Sequence, residues 1–183
     1  MIRDFQCIGR DLFLSGINNS HSGNLSVRMD DRLVITRRGS MLGQLEPPDL
    51  IETGLNKNDS NTTLASTEID VHRAIYQKTP ALAIVHAHPV YATALSLIDD
   101  KIIPIDAEGQ YLIHKIPVLS VEQTIGSKEV ADKLPELLKE YKIVMIRGHG
   151  SFAVGQLLEE AYHWTSSLEN ICKIIYLTRT LQR

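Results

Sequence analysis

Charges and apolar residues alternate at helical spacing through MIRDFQCIGRDLFLSG, where Arg3, Asp4, Arg10 and Asp11 sit among hydrophobic positions. This predicts a helix ending at the Gly16 turn. The polar, glycine-containing segment 18–24 follows as a loop. Leu25 to Met29 and Leu33 to Thr36 then switch to short alternating runs, and Asp30 and Asp31 between them predict a hairpin. RRGSMLGQLEPPD reads as loop, Leu50 to Thr53 as a strand, and GLNKNDSNTT as the turn after it. ASTEIDVHRAIYQKTP has Ser66 and Thr67 as candidate N-caps, an acidic first turn and Pro80 as its stop, which predicts a helix.

The second half repeats this irregular alternation. Leu82 to His88 is an apolar strand running into a helix at Val90 to Ile98. IIPI is followed by a short strand at IPVL, Lys128 to Tyr141 is a helix, and KIVMIRGHGSFAVG predicts two strands joined at a glycine-flanked turn. Leu157 to Leu181 reads as a long amphipathic helix with an apolar stripe through Ala161, Leu168, Cys172 and Ile175. Helices at both ends with hairpin-like strand pairs between them predict a mixed α/β layered domain around one largely antiparallel sheet. GxGxxG and Walker loops are absent, which argues against a doubly wound nucleotide-binding fold.

Composition narrows this further. A chain of 183 residues, 43% hydrophobic and 22% charged, suits one buried core, so residues 1–183 are expected to form a single domain. A net charge of −3 with scattered Lys and Arg gives no footprint for nucleic acid. The N-terminal segment lacks the apolar core of a signal peptide. The uncharged stretch from Thr79 to Ile98 contains Pro80, Pro89, His86 and His88, which a lipid-facing helix hardly tolerates. A cytoplasmic protein without a membrane partner is the expectation. Cys7 and Cys172 both fall in helical patterns without CxxC spacing and are expected to be buried core thiols.

Candidate chemistry starts with AIVHAHPVYAT. Residues i and i+2 of a strand face the same side, so His86 and His88 present both rings to one place while Ala87 points away. Either ring alone also suits a hydrogen-bonded core histidine; a metal needs more ligands. His149 in RGHGS stands between Gly148 and Gly150 at a strand end, where glycines permit close approach, or an ordinary hairpin turn. Catalytic zinc typically has three protein ligands and an open position, and His86, His88 and His149 would make such a set. His21, His114 and His163 read as surface residues, and His72 as a packing or hydrogen-bond neighbour of Glu68.

Two further constellations favour anions. Ser66 and Thr67 at a helix start offer hydroxyls beside free backbone N–H groups, which suits phosphate. Glu68 next to them complements the helix dipole, or serves beside a divalent cation as a ligand and proton acceptor. In SGNLSVR, Gly23 and Asn24 supply a tight turn and an amide donor, equally consistent with a plain β-turn.

HSGNLSVR, the ITRRG loop, ASTE, IVHAHPVYAT and RGHG occur in this order over nearly the whole chain, which thereby resembles the class II aldolase/adducin family, most closely its ketose-1-phosphate aldolases. The resemblance implies a three-layer α/β/α sandwich with a mainly antiparallel central sheet, usually a homotetramer with sites between subunits. It implies one Zn²⁺ per subunit on His86, His88 and His149, phosphate held by Ser66 and Thr67, and Glu68 as general acid/base. Gly23 and Asn24 match the family's phosphate-binding Gly-Asn, and Gly39 matches a glycine of the same pocket. The implied reaction cleaves a ketose 1-phosphate into dihydroxyacetone phosphate and a short aldehyde through a metal-stabilised enediolate, with no cofactor beyond the metal.

Three departures bear on specificity. Arg38 stands where these aldolases have a threonine, and its guanidinium can still contact phosphate. A tyrosine that assists proton transfer is replaced around Asp106-Ala107-Glu108, with Tyr111 only nearby. The family's C-terminal tail, with a second tyrosine, has no counterpart before Arg183, which leaves the aldehyde open. Rival readings on the same scaffold are a sugar-phosphate dehydratase, which has a glutamate near Glu108, and a decarboxylase of phosphorylated keto acids. A 4-epimerase is disfavoured by Gln110 where those enzymes use an aspartate. The rival from another class is a metal-free adducin-like interaction module, against which the three histidines and Glu68 argue.

Overall fold

The computed structural model describes residues 1–182. Its helices are α1 (Ile2–Leu14), α2 (Ile69–Lys78), α3 (Val90–Ser96), α4 (Ala107–Leu112), α5 (Lys128–Leu138) and α6 (Leu158–Leu181). Its strands are β1 (Asn24–Met29), β2 (Arg32–Thr36), β3 (Leu50–Gly54), β4 (Ala83–Ala87), β5 (Lys101–Ile102), β6 (Ile116–Leu119), β7 (Ile143–Ile146) and β8 (Gly150–Gly155). They form one sheet in the order β3-β2-β1-β4-β8-β7-β6-β5. Every neighbouring pair is antiparallel except β6 and β7, which are parallel. The exception has a local cause: β6 reaches β7 through α5, and a crossover of this kind is what lets consecutive strands run in the same direction.

Period-two alternation assigns the faces. On β4, Ala83, Val85 and Ala87 pack into the cluster that holds Phe5, Ile8 and Leu12 of α1 and Leu168, Ile171 and Cys172 of α6. Ile84 turns to the other side, with Ile75 of α2, Leu134 of α5, and Phe152 and Val154 of β8. The result is the expected three layers, with α1, α3 and α6 on one face of the sheet and α2 and α5 on the other. The β1–β4 register sets Asn24 opposite His86, and the β4–β8 register sets His86 opposite Phe152. No helix among the described residues is long and apolar enough to cross a membrane.

Several expectations are corrected. Cys172 is buried but Cys7 is exposed. Cys7 lies two residues from Phe5, about 200° around the helix, and so falls on the face opposite the Phe5–Ile8–Leu12 stripe. α2 starts later than its caps suggested, because Glu68 rather than Ser66 or Thr67 occupies the N-cap position. α5 ends at Leu138, short of Tyr141. α4 was not anticipated; Asp106 caps it by accepting a hydrogen bond from Gly109 N–H at 2.8 Å.

Beneath β1 and β4 lies a buried polar cluster. Ser26 Oγ hydrogen-bonds His72 Nδ1 at 2.6 Å and Tyr76 Oη at 2.7 Å, and all three residues are buried. His72 therefore has Ser26, not the Glu68 side chain, as its ring partner. Ser26→Ala leaves two buried polar groups without this partner and is expected to destabilise the protein by about 1–3 kcal/mol. Denaturant unfolding of the metal-free protein measures this, and a change below a few tenths of a kcal/mol contradicts it.

Candidate active site

Three strand ends bring the histidines together. β4 ends at Ala87, and His88 just beyond it keeps its ring on the same side as His86, the two Nε2 atoms being 3.0 Å apart. The turn from β7 to β8 carries His149, whose ring centroid lies 4.9 Å from that of His86 and 4.9 Å from that of His88. One ring nitrogen from each residue lies within 4.8 Å of the other two. Two glycines make the approach possible. Gly148 has φ +66, and a Cβ at Gly150 would lie 2.4 Å from the Ala87 carbonyl oxygen and 3.1 Å from atoms of both the His86 and His88 rings.

The surroundings orient the rings. His86 Nδ1–H donates to the Ser151 carbonyl at 2.9 Å, which leaves Nε2 as the lone-pair nitrogen. Phe152 stacks on the His86 ring with centroids 4.1 Å apart. Asn18 Oδ1 accepts the His88 backbone N–H at 2.8 Å. Burial lowers the pKa of all three rings, that of His88 to about 4, and neighbouring imidazoles add to the effect at His86 and His88. The rings are neutral near pH 7 and offer lone pairs.

This donor set fits a divalent cation. The 3.0 Å separation of the His86 and His88 nitrogens is close to the ~3.3 Å expected for two imidazoles on a tetrahedral zinc. Nδ1 of His149 is buried without a hydrogen-bond partner among the described residues.

Glu68 closes the other wall. It is 3% exposed; Gly126 N–H donates to its Oε1 at 3.0 Å, and its Oε2 has no partner among the described residues. Burial raises its carboxyl to about 7, partly opposed by the Gly126 hydrogen bond. The same cleft, about 170 Å³ in volume, is lined by Gly23, Asn24, Gly39, Ser66, Thr67, Glu68, His86, His88 and His149. All nine residues singled out in the sequence thus meet in one place. Gly23 and Gly39 have positive φ, and a Cβ at Gly23 would lie 2.6 Å from the His86 carbonyl oxygen. Arg38 also lines the cleft, and its guanidinium has no hydrogen bond or ion pair among the described residues, whereas Arg37 is held by Asp49 at 2.7 Å.

His21, set aside as a surface residue, is exposed and yet borders the cleft. Asp106 and Glu108 line a separate depression against α6, and Tyr111 is 82% exposed. Sequence reasoning missed Asn18, Gly126 and Phe152. Only Gly126 carried a signal, as a glycine just before the Ser127 cap of α5.

The chain belongs to the class II aldolase and adducin family: the model of the class II aldolase and adducin N-terminal domain matches residues 3–176. An L-fuculose phosphate aldolase of Methanococcus maripaludis is 32% identical over 87% of this chain and 87% of its own length. A 3-oxo-tetronate 4-phosphate decarboxylase of Pectobacterium atrosepticum is 30% identical over 93% of this chain and 81% of its own. The crystal structure of L-fuculose-1-phosphate aldolase from Thermus thermophilus superposes with a TM-score of 0.94 at 37% identity, covering 99% of this chain and 95% of that one.

The environment of Glu68 makes a stability prediction. Its proton is held more tightly in the folded state, so this contribution is complete below the ordinary value of 4.5 and is lost as pH rises to about 7. The loss amounts to at most about 3 kcal/mol. With metal removed by chelator, the stability of Glu68→Gln relative to the native chain is expected to rise between pH 5 and pH 8. A gap that stays constant contradicts the buried, proton-holding carboxyl.

Proposed function

We propose that this chain is a zinc-dependent class II aldolase that cleaves a ketose 1-phosphate of the L-fuculose 1-phosphate type into dihydroxyacetone phosphate and a short aldehyde. The observation that carries the reading is the meeting of three neutral imidazoles and a buried carboxyl in one cleft with a set of anion-binding groups. His86, His88 and His149 would hold the metal. A divalent cation there supplies Lewis-acid polarisation of the ketone and offsets the negative charge of an enediolate.

The chain's own groups do the rest. The hydroxyls of Ser66 and Thr67, the start of α2, and the backbone around Gly23, Asn24 and Gly39 bind the phosphate and fix the reacting carbon near the imidazoles. Arg38 adds an unpaired positive charge to the same wall. Glu68 returns a proton to C3 of the enediolate after cleavage, or removes it in the synthetic direction, and the burial that raises its carboxyl in the metal-free chain favours its holding a proton. Its Oε1 is engaged by Gly126, which leaves Oε2 to carry the proton.

The decarboxylase relative favours a second reading. Loss of CO2 from a 3-oxo-tetronate 4-phosphate leaves the same enediolate of dihydroxyacetone phosphate, so the phosphate site, the metal site and Glu68 would serve unchanged. The two reactions differ in the departing group, and aldol cleavage in addition needs the C4 hydroxyl to give up its proton as the aldehyde forms, which loss of CO2 from a carboxylate does not.

The reading takes residues 1–183 as one domain that works in the cytoplasm as a homotetramer. Ile125 at the cleft and Leu97 beside the His149 turn are apolar and exposed, positions that a neighbouring subunit would cover. The metal-loaded protein is expected to exchange the C3 proton of dihydroxyacetone phosphate with solvent, and Glu68→Gln to lose that exchange while keeping stoichiometric metal. Normal exchange in the variant removes Glu68 from the role. Release of dihydroxyacetone phosphate from ketose 1-phosphates but not from a 3-oxo-tetronate 4-phosphate supports the aldolase; the converse establishes the decarboxylase.

A further inference from the structure

Outside the cleft, a dense polar construction beside His149 is built around Arg147. Its guanidinium donates from Nη1 to the Ser96 carbonyl at 2.6 Å and from Nε to Ser120 Oγ at 2.7 Å, and its Nη2 pairs with Asp100. Its backbone N–H donates to the Leu119 carbonyl at 2.9 Å. The next residue joins the same clasp, since Gly148 N–H donates to Ser96 Oγ at 2.9 Å. The third residue is His149, whose own N–H returns to the Ile146 carbonyl at 3.1 Å. Arg147 itself does not line the cleft.

The elements gripped are informative. Ser96 ends α3, and α3 begins two residues after His88. Glu169 of α6 holds the start of α3 by accepting from the backbone N–H groups of Tyr91 and Ala92, each at 3.0 Å. α3 is thus a short strut with one histidine at its start and the clasped His149 turn at its end. The turn is closed at its base by the Ile146–Gly150 pair of the β7–β8 ladder and by the His149 N–H to Ile146 carbonyl bond, whereas the left-handed Gly148 at its tip has the conformational latitude of a residue without a side chain.

We propose that Arg147 is the positioning residue for His149, holding the third imidazole at a fixed distance from the His86–His88 pair by tying the turn to the end of α3 and to β6. The inference rests on the metal-binding reading of the three histidines. A planar guanidinium suits the task because its three nitrogens reach three separated acceptors at once, whereas an ammonium directs its donors from a single nitrogen at the end of a flexible stem.

The test is metal affinity, read by competition between the purified full chain and a chelator for Zn²⁺ or Co²⁺. Arg147→Met is expected to bind roughly 10- to 100-fold more weakly, the usual effect of losing a group that orients a metal ligand. Arg147→Lys keeps the charge opposite Asp100 and is expected to lie between. The visible absorption of the Co²⁺ form should change in both, reporting an altered ligand field. Arg179→Met is the control: it removes the 2.8 Å pair to Asp99, next to Asp100, without touching the clasp, and should leave affinity and spectrum as they are. Wild-type affinity and spectrum in Arg147→Lys and in any folded Arg147→Met overturn the proposal, as does an equal loss in Arg179→Met. A native chain that takes up no stoichiometric metal overturns instead the reading on which the proposal rests.

Discussion

One hydrogen bond across the β4–β8 pair, from His86 Nδ1–H to the Ser151 carbonyl, sets the polarity of the whole cleft. It commits the Nδ1 proton to the backbone and turns the Nε2 lone pair toward His88. Because the ring is buried and stacked on Phe152, it can neither rotate freely nor take up a second proton cheaply near neutral pH. His88 and His149 are held in the same neutral condition by burial, and one ring nitrogen from each of the three residues lies within 4.8 Å of the other two. A cation is the natural complement of that arrangement.

The opposite wall answers it. Glu68 is buried where an ionised carboxylate is poorly solvated, and a single backbone N–H from Gly126 supports it. Around the two walls the chain avoids bulk where backbone must approach: Gly150 lies against the two rings, and Gly23 against the His86 carbonyl. The hydroxyls of Ser66 and Thr67 line the same cleft, which on the proposed function would combine proton transfer, anion binding and a seat for a metal. Cleavage to an aldehyde and loss of CO2 both need these three capacities, and relatives carrying each name share about three tenths of the chain's residues.

Much of this was legible in the sequence for definite reasons. HxH on a strand puts both rings on one face whatever the sheet order, and the β1–β2 hairpin followed from two short alternating runs across Asp30 and Asp31. What joined the distant motifs was strand order, which periodicity does not encode: β1 and β8 flank β4, so Asn24, His86 and Phe152 come level across three strands. Cys7 was misjudged because a helical pattern alone does not say which face a residue takes, and its two-residue offset from Phe5 turns it outward. α4 was missed because six residues leave almost no periodicity, although Asp106 three residues before Gly109 is a capping signal. Arg147 escaped notice because its partners, Ser96, Asp100 and Ser120, are neighbours only after β6 and β7 pair in parallel.

X-ray absorption at the metal edge of the zinc-loaded protein counts the imidazoles on the ion without reference to turnover. Three histidine nitrogens are expected at about 2.0–2.1 Å, completed by oxygen, falling to two in His149→Ala. Scattering from one imidazole or none, or a first shell containing sulfur, would contradict it.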